Sequence, residues 1–567
     1  MAQKIKEQLN GALATALTAL AGDRIDSIDL SRCEFGPSRE PELGDFATSA
    51  PLVCTKILGR PPFDIATDLA AALADHPLIA SATAARPGFV NIRLSLVAFS
   101  DLLTTMDIQG NQFGHVDVGG GESVLLEYVS ANPTGPMHLG HCRHAASGDA
   151  LARILAAGNY AVTREFYIND AGVQMKALGE SFRARCLEAL GLPFDAETVQ
   201  YPGEYLADFA KDFVANKCKE EIEGMDVAAF AMEGRDRNLE QIKSDLAAAG
   251  VTFDVYQSEK ELHDSGVVAT TLDRLVTSGS TYENDGALWL RTQDHGDNED
   301  RVLRKGDGSV TYLVPDLAYH DHKFRRGFDH YINIFGADHA GYPPRLRAGI
   351  AALGHDEKKL EVLLLRLVFL TRGGQRVKFS KRAGNFVAMA DVVLEAGSDA
   401  TRWFILSRSM DSEFEFDMDL AQEQSSKNPV FKVQYAHARI CSIEIRAREE
   451  GIAPLDDAVE AARLLDSTIE REILLLLGRL PEIVERSVRE RALHHLPAYL
   501  LSVADAWNRY YSLAKTDASY RILAPENRAL APARLRMADA IRLVLANGLA
   551  LLGITAPHSM ARAEDEE

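Results

Sequence analysis

The sequence predicts a multidomain α/β protein in three parts, and three observations carry that expectation. With 567 residues, 46% hydrophobic and 25% charged, the chain has ordinary globular composition and room for about three to five domains. An apolar run (124–128), a loop with Pro133, Gly135 and Pro136, an Ala- and Leu-rich helix ending near Gly158 and a second apolar run (162–168) follow one another. That succession reads as a βαβ unit, the building block of a doubly wound parallel sheet. Beyond about residue 420 strand-like runs stop and apolar residues recur only at helical spacing.

Residues 1–118 open with an amphipathic helix, continue with helical stretches at 51–58 and 62–73 and a strand-like 89–94, and end at the break Gly119-Gly120-Gly121. This predicts a small α+β domain with a linker. Residues 119–420 form the α/β domain. Besides the βαβ unit, strands are expected at 331–335 and 361–370, with a helix between them opened by Pro343 and Pro344 and closed by Gly354. Residues from about 190 to 280 are charged and helical in pattern and are expected to be a helical insertion. In residues 421–567 the segments 458–480, 492–513 and 533–552 predict an all-helical bundle, followed by a solvated acidic tail.

The formal charge is −21, which lowers the expectation of a nucleic-acid partner without excluding one, because screening confines each surface to its local charge over about 8–10 Å. The six cysteines are scattered with no CxxC and no Cys/His cluster, so neither a disulfide framework nor zinc is expected. The longest apolar stretches are broken by Arg366, Asn547 or glycines and fall short of the roughly 20 residues a membrane span needs. The N-terminus lacks the apolar core of a secretion signal. A cytoplasmic, non-membrane protein, monomeric, is the expectation.

Two segments carry chemistry. His138-Leu139-Gly140-His141 falls at a helix N-terminus after the first strand, where free backbone N–H groups and the dipole attract phosphate and two imidazoles add donors. Alone, the pattern also fits ordinary helix-start histidines. Lys378-Phe379-Ser380-Lys381-Arg382, flanked by Gly373-Gly374 and Gly384, places two ammonium groups where they could neutralise charge developing on a triphosphate. Alone, it also fits a solvated basic run.

Together the two segments resemble the HIGH and KMSKS signatures of class I aminoacyl-tRNA synthetases. The flanking stretches Glu127-Tyr128-Val129-Ser130-Ala131-Asn132-Pro133-Thr134-Gly135-Pro136, Tyr312 to His320, Gly336-Ala337-Asp338-His339 and Val433 to Arg439 resemble the arginyl-tRNA synthetase family. Gly44-Asp45-Phe46-Ala47 and Pro87 to Ile92 resemble that family's N-terminal domain, so the likeness spans essentially the whole chain. It implies a Rossmann-like catalytic domain flanked by an N-terminal tRNA-binding domain and a C-terminal anticodon-binding bundle. The implied reaction joins arginine to ATP as arginyl-adenylate and passes it to a tRNA accepting arginine, with Mg²⁺ on the phosphates.

The implied catalytic residues are His138, His141, Lys378 and Lys381, and the ATP site adds Gly140, Asp338 and His339. A guanidinium is a planar charged fork that selects carboxylates; Glu127, Tyr312 and Asp316 are implied around it, with Asn132 on the α-amino group. Tyr312 and Asp316 share a face if their segment is helical, which Pro315 leaves open. For tRNA the implied residues are Phe89 and Asn91, and in the bundle Tyr435, His437, Arg439 and Trp507, aromatics and Arg being able to stack on unpaired bases. Departures are the KFSKR lettering, with Phe379 for Met and Arg382 for Ser, and the lack of a lysine at Gly135, consistent with retention of Lys381. No Gln stands in 336–339, where some members use one. A small-molecule nucleotidyltransferase and a non-catalytic RNA-binding relative remain alternatives; the first does not need the helical bundle, and the second has no reason to keep both lysines.

Overall fold

The computed structural model describes residues 2–38, 42–377 and 387–561. The N-terminal unit has a four-stranded antiparallel sheet: β1 (Gly36–Pro37), β2 (Phe46–Thr48), β3 (Ile79–Ala85) and β4 (Phe89–Leu94), in the order β1-β2-β4-β3. Helices Ala2–Ala21, Ala50–Leu58 and Pro62–Leu73 accompany it. Pro51 and Pro62 stand in the first turns of the last two, where their missing N–H groups cost nothing.

The central unit begins with β5 (Ser123–Glu127), helix Leu139–Ala157 and β6 (Ala161–Ile168). A run of helices from Val173 to Ala248 follows and returns to the sheet as β7 (Val255–Ser258). A small antiparallel sheet comes next, of β8 (Thr281–Asn284), β9 (Ala287–Leu290) and β10 (Arg301–Arg304). Helix Leu313–Arg325, β11 (His330–Gly336), helix Pro343–Ala352 and β12 (Leu360–Leu365) complete the unit. Strands β13 (Val368–Arg372), β14 (Gln375–Arg376) and β15 (Phe414–Asp417) make a third small sheet.

The main sheet runs β12-β11-β5-β6-β7, with every neighbouring pair parallel. Counted along the chain this is the 3-2-1-4-5 order of a doubly wound sheet, which reverses direction between its first and fourth strands. The carboxyl ends of β5 and β11 therefore diverge and leave a crevice.

Two expectations change. The segment 190–280 is not wholly helical: its helices begin earlier, at Val173, and it contains β7, an edge strand of the main sheet, while the small β8–β10 sheet starts just past it at Thr281. The run 361–370 is two strands, not one. Arg366 and Leu367 break it, β12 staying in the main sheet and β13 leaving for another.

From Pro429 onward the chain is helical, with long helices Pro429–Glu449, His495–Thr516 and Ala531–Leu551. The bundle packs on both other units. Arg471 reaches Asp45 and the Leu94 carbonyl, and Asn547 donates to the Gly110 and Phe113 carbonyls at 2.9 Å. Arg402 joins the helix Leu139–Ala157 through Asp149 at 2.6 Å to the Ala249 and Leu552 carbonyls. Among the described residues no helix is long and apolar enough to cross a membrane.

Candidate active site

A cleft of about 870 Å³ opens at the switch point. Glu127, Asn132, His138, Gly140, His141, Tyr312, Asp316, Asp338 and His339, expected from four separate stretches of sequence, all line it. Parallel strands place their carboxyl ends on one edge of the sheet; the loops leaving β5 and β11 bring most of these residues there, and the start of helix Leu313–Arg325 brings Tyr312 and Asp316.

His138 is the cap residue of helix Leu139–Ala157, and its Nδ1 accepts from the Gly140 N–H at 3.0 Å. The His138 N–H donates to His141 Nδ1 at 3.2 Å, and the two rings stack 3.9 Å apart. With both Nδ1 atoms accepting from backbone, each ring is the neutral tautomer with its proton on Nε2. The glycine serves the histidine itself: a Cβ at 140 would lie 2.8 Å from His138 Cε1.

Val129 and Ser130 follow β5 with φ of 66° and 43°, a region a β-branched residue rarely enters and one that collects at functional sites. This bend returns the Ser130 hydroxyl to Glu127 at 3.0 Å, where it also accepts from the Tyr167 N–H at 3.2 Å.

Beneath the cleft lies a buried polar layer. Asn333, Glu127 and Glu165 stand in register across β11, β5 and β6. Helix Leu313–Arg325 answers each of them. Lys323 pairs with Glu127 and donates to Asn333 Oδ1 at 3.1 Å, His320 Nε2 accepts from Asn333 at 2.8 Å, and the Tyr319 hydroxyl donates to Glu165 at 2.7 Å. Buried polar groups need such partners, and a single missing one would cost more than the bond is worth. The charge of Glu127 is thus cancelled by Lys323, a residue 0% exposed.

Pro315 falls in the first turn of this helix, where it is tolerated, so Tyr312 and Asp316 do share a face. Tyr312 is 83% exposed. Burial opposes the charge on Asp316, but His320, whose ring reaches Oδ1 at 3.1 Å, the Tyr342 hydroxyl and Lys323 outweigh it and hold the carboxyl below its ordinary value. Asn132 is bonded to Gln174 at 2.9 Å. Asp338 and His339 are exposed and 3.5 Å apart.

Sequence reasoning missed Lys323, Glu259, Tyr167 and Tyr342. Asp316, His320 and Lys323 recur about one turn apart on helix Leu313–Arg325, a readable sign of a polar face. Glu259 follows β7 and lines the cleft, with the Tyr167 hydroxyl bonded to it and burial pushing its carboxyl up. It was hidden because β7 was not recognised as a strand of the main sheet.

Lys378 and Lys381 lie outside the described residues. Their flanks do not: the Val377 N–H donates to the Leu370 carbonyl at 2.9 Å, and Ala388 forms a β-bridge with His138. The flank after the lysine segment therefore meets the structure at His138, and the flank before it meets β13.

Of the expected RNA residues, Phe89 is exposed, and Tyr435 and Arg439 are half-buried, the Arg439 guanidinium lying 4.5 Å from the Tyr435 ring centre and 4.3 Å from that of Tyr511. Asn91, His437 and Trp507 are buried at 5%, 1% and 0% exposure. Asn91 is packed within the antiparallel sheet, His437 turns inward and bonds the Pro557 carbonyl at 2.9 Å, and Trp507 fills the bundle core. No base can stack on them without unpacking the fold.

Three family profiles tile the chain: "Arginyl tRNA synthetase N terminal domain" over residues 3–94, "tRNA synthetases class I (R), catalytic domain" over 103–413 and "DALR anticodon binding domain" over 433–560. A curated relative from Nitratidesulfovibrio vulgaris (strain Miyazaki F), named "Arginine--tRNA ligase", is 42% identical over 92% of this chain and 95% of its own. A putative arginyl-tRNA synthetase structure from Campylobacter jejuni is 33% identical with a TM-score of 0.73, covering 82% of this chain and 100% of its own. The Thermus thermophilus arginyl-tRNA synthetase shares the fold at a TM-score of 0.74 and 24% identity, covering 98% of this chain and 100% of its own. With profile, relatives and architecture in agreement over its length, the chain belongs to the arginyl-tRNA synthetase family.

Proposed function

We propose that this protein is an arginine–tRNA ligase. It activates arginine with ATP to arginyl-adenylate and transfers the arginyl group to the 3′ end of its tRNA. The observation that carries this reading is the convergence, at one switch-point cleft, of a capped imidazole pair with an acidic pocket. The arginine carboxylate attacks the α-phosphate in line and pyrophosphate leaves. The 2′-hydroxyl of the terminal adenosine then takes the arginyl group and AMP departs.

In this reading the Nε2–H groups of His138 and His141 donate to phosphate oxygens, and Lys378 and Lys381 neutralise charge as it develops. Gly140, Asp338 and His339 border the nucleotide. Asn132 holds the α-amino group. The guanidinium meets Asp316 and Glu259, carboxylates whose ion-pair partners among the described residues are histidines and not the Lys that binds Glu127, with Tyr312 as a movable wall. Glu127, already paired with Lys323, orients Ser130 and shapes the pocket floor. Mg²⁺ would come with ATP on its phosphates and supply countercharge to them, as suits that ion. Phe89, Tyr435 and Arg439 face tRNA, and a cytoplasmic address goes with the reaction.

The test is exchange of labelled pyrophosphate into ATP. It should require arginine and, following the family resemblance, rise from background only when tRNA accepting arginine is present. Lys381→Ala should lower this exchange about 10²-fold, as loss of a preorganised charge does. Exchange that ignores arginine would overturn the reading.

A further inference from the structure

The helix that carries the two imidazoles carries a third. His144 stands three residues after His141 and four after Gly140, spacings that share one face of a helix, and it lines the same cleft. Nothing assigned so far uses it. Its Nδ1 is buried and has no hydrogen-bond partner among the described residues. Sealing a polar atom in that way is costly, and a leucine of similar size would avoid it. The use of an imidazole here therefore lies in its other nitrogen.

Nε2 faces the far wall of the cleft. A Cβ built on Gly336, the last residue of β11, would lie 4.0 Å from His144 Nε2 and 2.5 Å from Asp338 Oδ1. The imidazole nitrogen and the carboxylate thus flank one spot at the carboxyl end of β11, and because residue 336 is glycine no side chain fills it. The His138–His141 pair lies at the start of the helix, one turn before His144. A nucleotide with its phosphates on that pair and Asp338 along its side brings its sugar to this spot.

Burial first, and then Arg143, push the His144 ring down to about 4, so near neutral pH it is an uncharged imidazole. Phosphate oxygens only accept and favour a cation, whereas a hydroxyl both donates and accepts and answers either tautomer of the ring. A carboxylate beside such a nitrogen matches two neighbouring hydroxyls. We propose that His144 is a further substrate-binding residue, whose Nε2 reads, together with Asp338, the paired hydroxyls of the ATP ribose. The proposal rests on the reading of this cleft as the ATP site, with Asp338 beside the nucleotide. It makes His144 a residue that distinguishes ribonucleotides from deoxyribonucleotides.

The experiment uses arginine- and tRNA-dependent pyrophosphate exchange and measures inhibition against ATP by AMP, 2′-deoxy-AMP and 3′-deoxy-AMP, for wild type, His144→Leu and His144→Asn. In wild type at least one deoxy nucleotide should bind about 3- to 10-fold more weakly than AMP, the range of one neutral hydrogen bond. His144→Leu should weaken AMP by about the same factor and leave the analogue that lacks the contacted hydroxyl nearly as it was, with the arginine KM unchanged. His144→Asn keeps a polar group where Nδ1 stands and ends short of Nε2. It should give the same hydroxyl-selective loss, and it decides the matter if His144→Leu does not fold. A purely structural role for the ring would weaken all three nucleotides alike. Equal losses, or AMP inhibition as in wild type, overturn the proposal. A wild type that does not exchange with arginine and tRNA sinks the ligase reading and the proposal with it, whereas wild-type exchange beside unselective variants sinks the His144 assignment alone.

Discussion

Replacing Asp316 by Asn and Glu127 by Gln separates two carboxylates that look equivalent in the sequence. Each change keeps the shape and removes one charge. Asp316 stands on the cleft wall beside His320 and Tyr342, so its charge is available to a guanidinium. Losing one partner of a desolvated charge pair costs about 2–5 kcal/mol, which at about 1.4 kcal/mol per decade raises the arginine KM from about 30-fold to a few thousand-fold. Glu127 instead holds Lys323, an ammonium at 0% exposure whose other polar contact is Asn333. Glu127→Gln removes the carboxylate paired directly with that buried charge and should destabilise the central unit by about 3–5 kcal/mol. Pyrophosphate exchange gives the arginine KM, and urea unfolding gives the stability of each variant. An unchanged arginine KM in Asp316→Asn, or a Glu127→Gln protein as stable as wild type, would refute this division of labour.

Three further outcomes are expected. Gly140→Ala should lower the exchange kcat about tenfold or more with little change in arginine KM, since its Cβ would lie 2.8 and 2.9 Å from atoms of the His138 ring and displace it; a wild-type kcat would show that the ring placement is unimportant. His144 is pushed down to about 4, first by burial and then by Arg143, whereas the unfolded imidazole titrates near pH 6.5. Its contribution to stability is therefore complete above about pH 6.5 and is lost as pH falls toward 4, at most about 3 kcal/mol; urea midpoints measured between pH 7 and 4.5 should fall less steeply for His144→Gln. Binding of tRNA should weaken linearly in log K against log salt as phosphate contacts release counterions, and a flat dependence would remove the phosphate contacts from the interface despite the charge of −21.

Local patterning was enough for the parts of this protein whose signal is local. The run from β5 through helix Leu139–Ala157 to β6, the proline-opened helix Pro343–Ala352 and the helical bundle all follow from apolar periodicity and breaker residues within short windows. The HLGH capping arrangement is local too, since His138, Gly140 and His141 bond one another. Strand β7 escaped because a run of four residues, Val-Tyr-Gln-Ser, is too short to show a period of its own and is held by register with β6. Which carboxylate stays free for a guanidinium was likewise out of reach. Glu127 and Lys323 lie 196 positions apart, and only the stacking of helix Leu313–Arg325 on the parallel sheet brings them together. His437 and Trp507 show the same limit. Aromatic and cationic letters spaced along a helix name what could stack on a base, but the packing of one helix on another selects which faces remain outside.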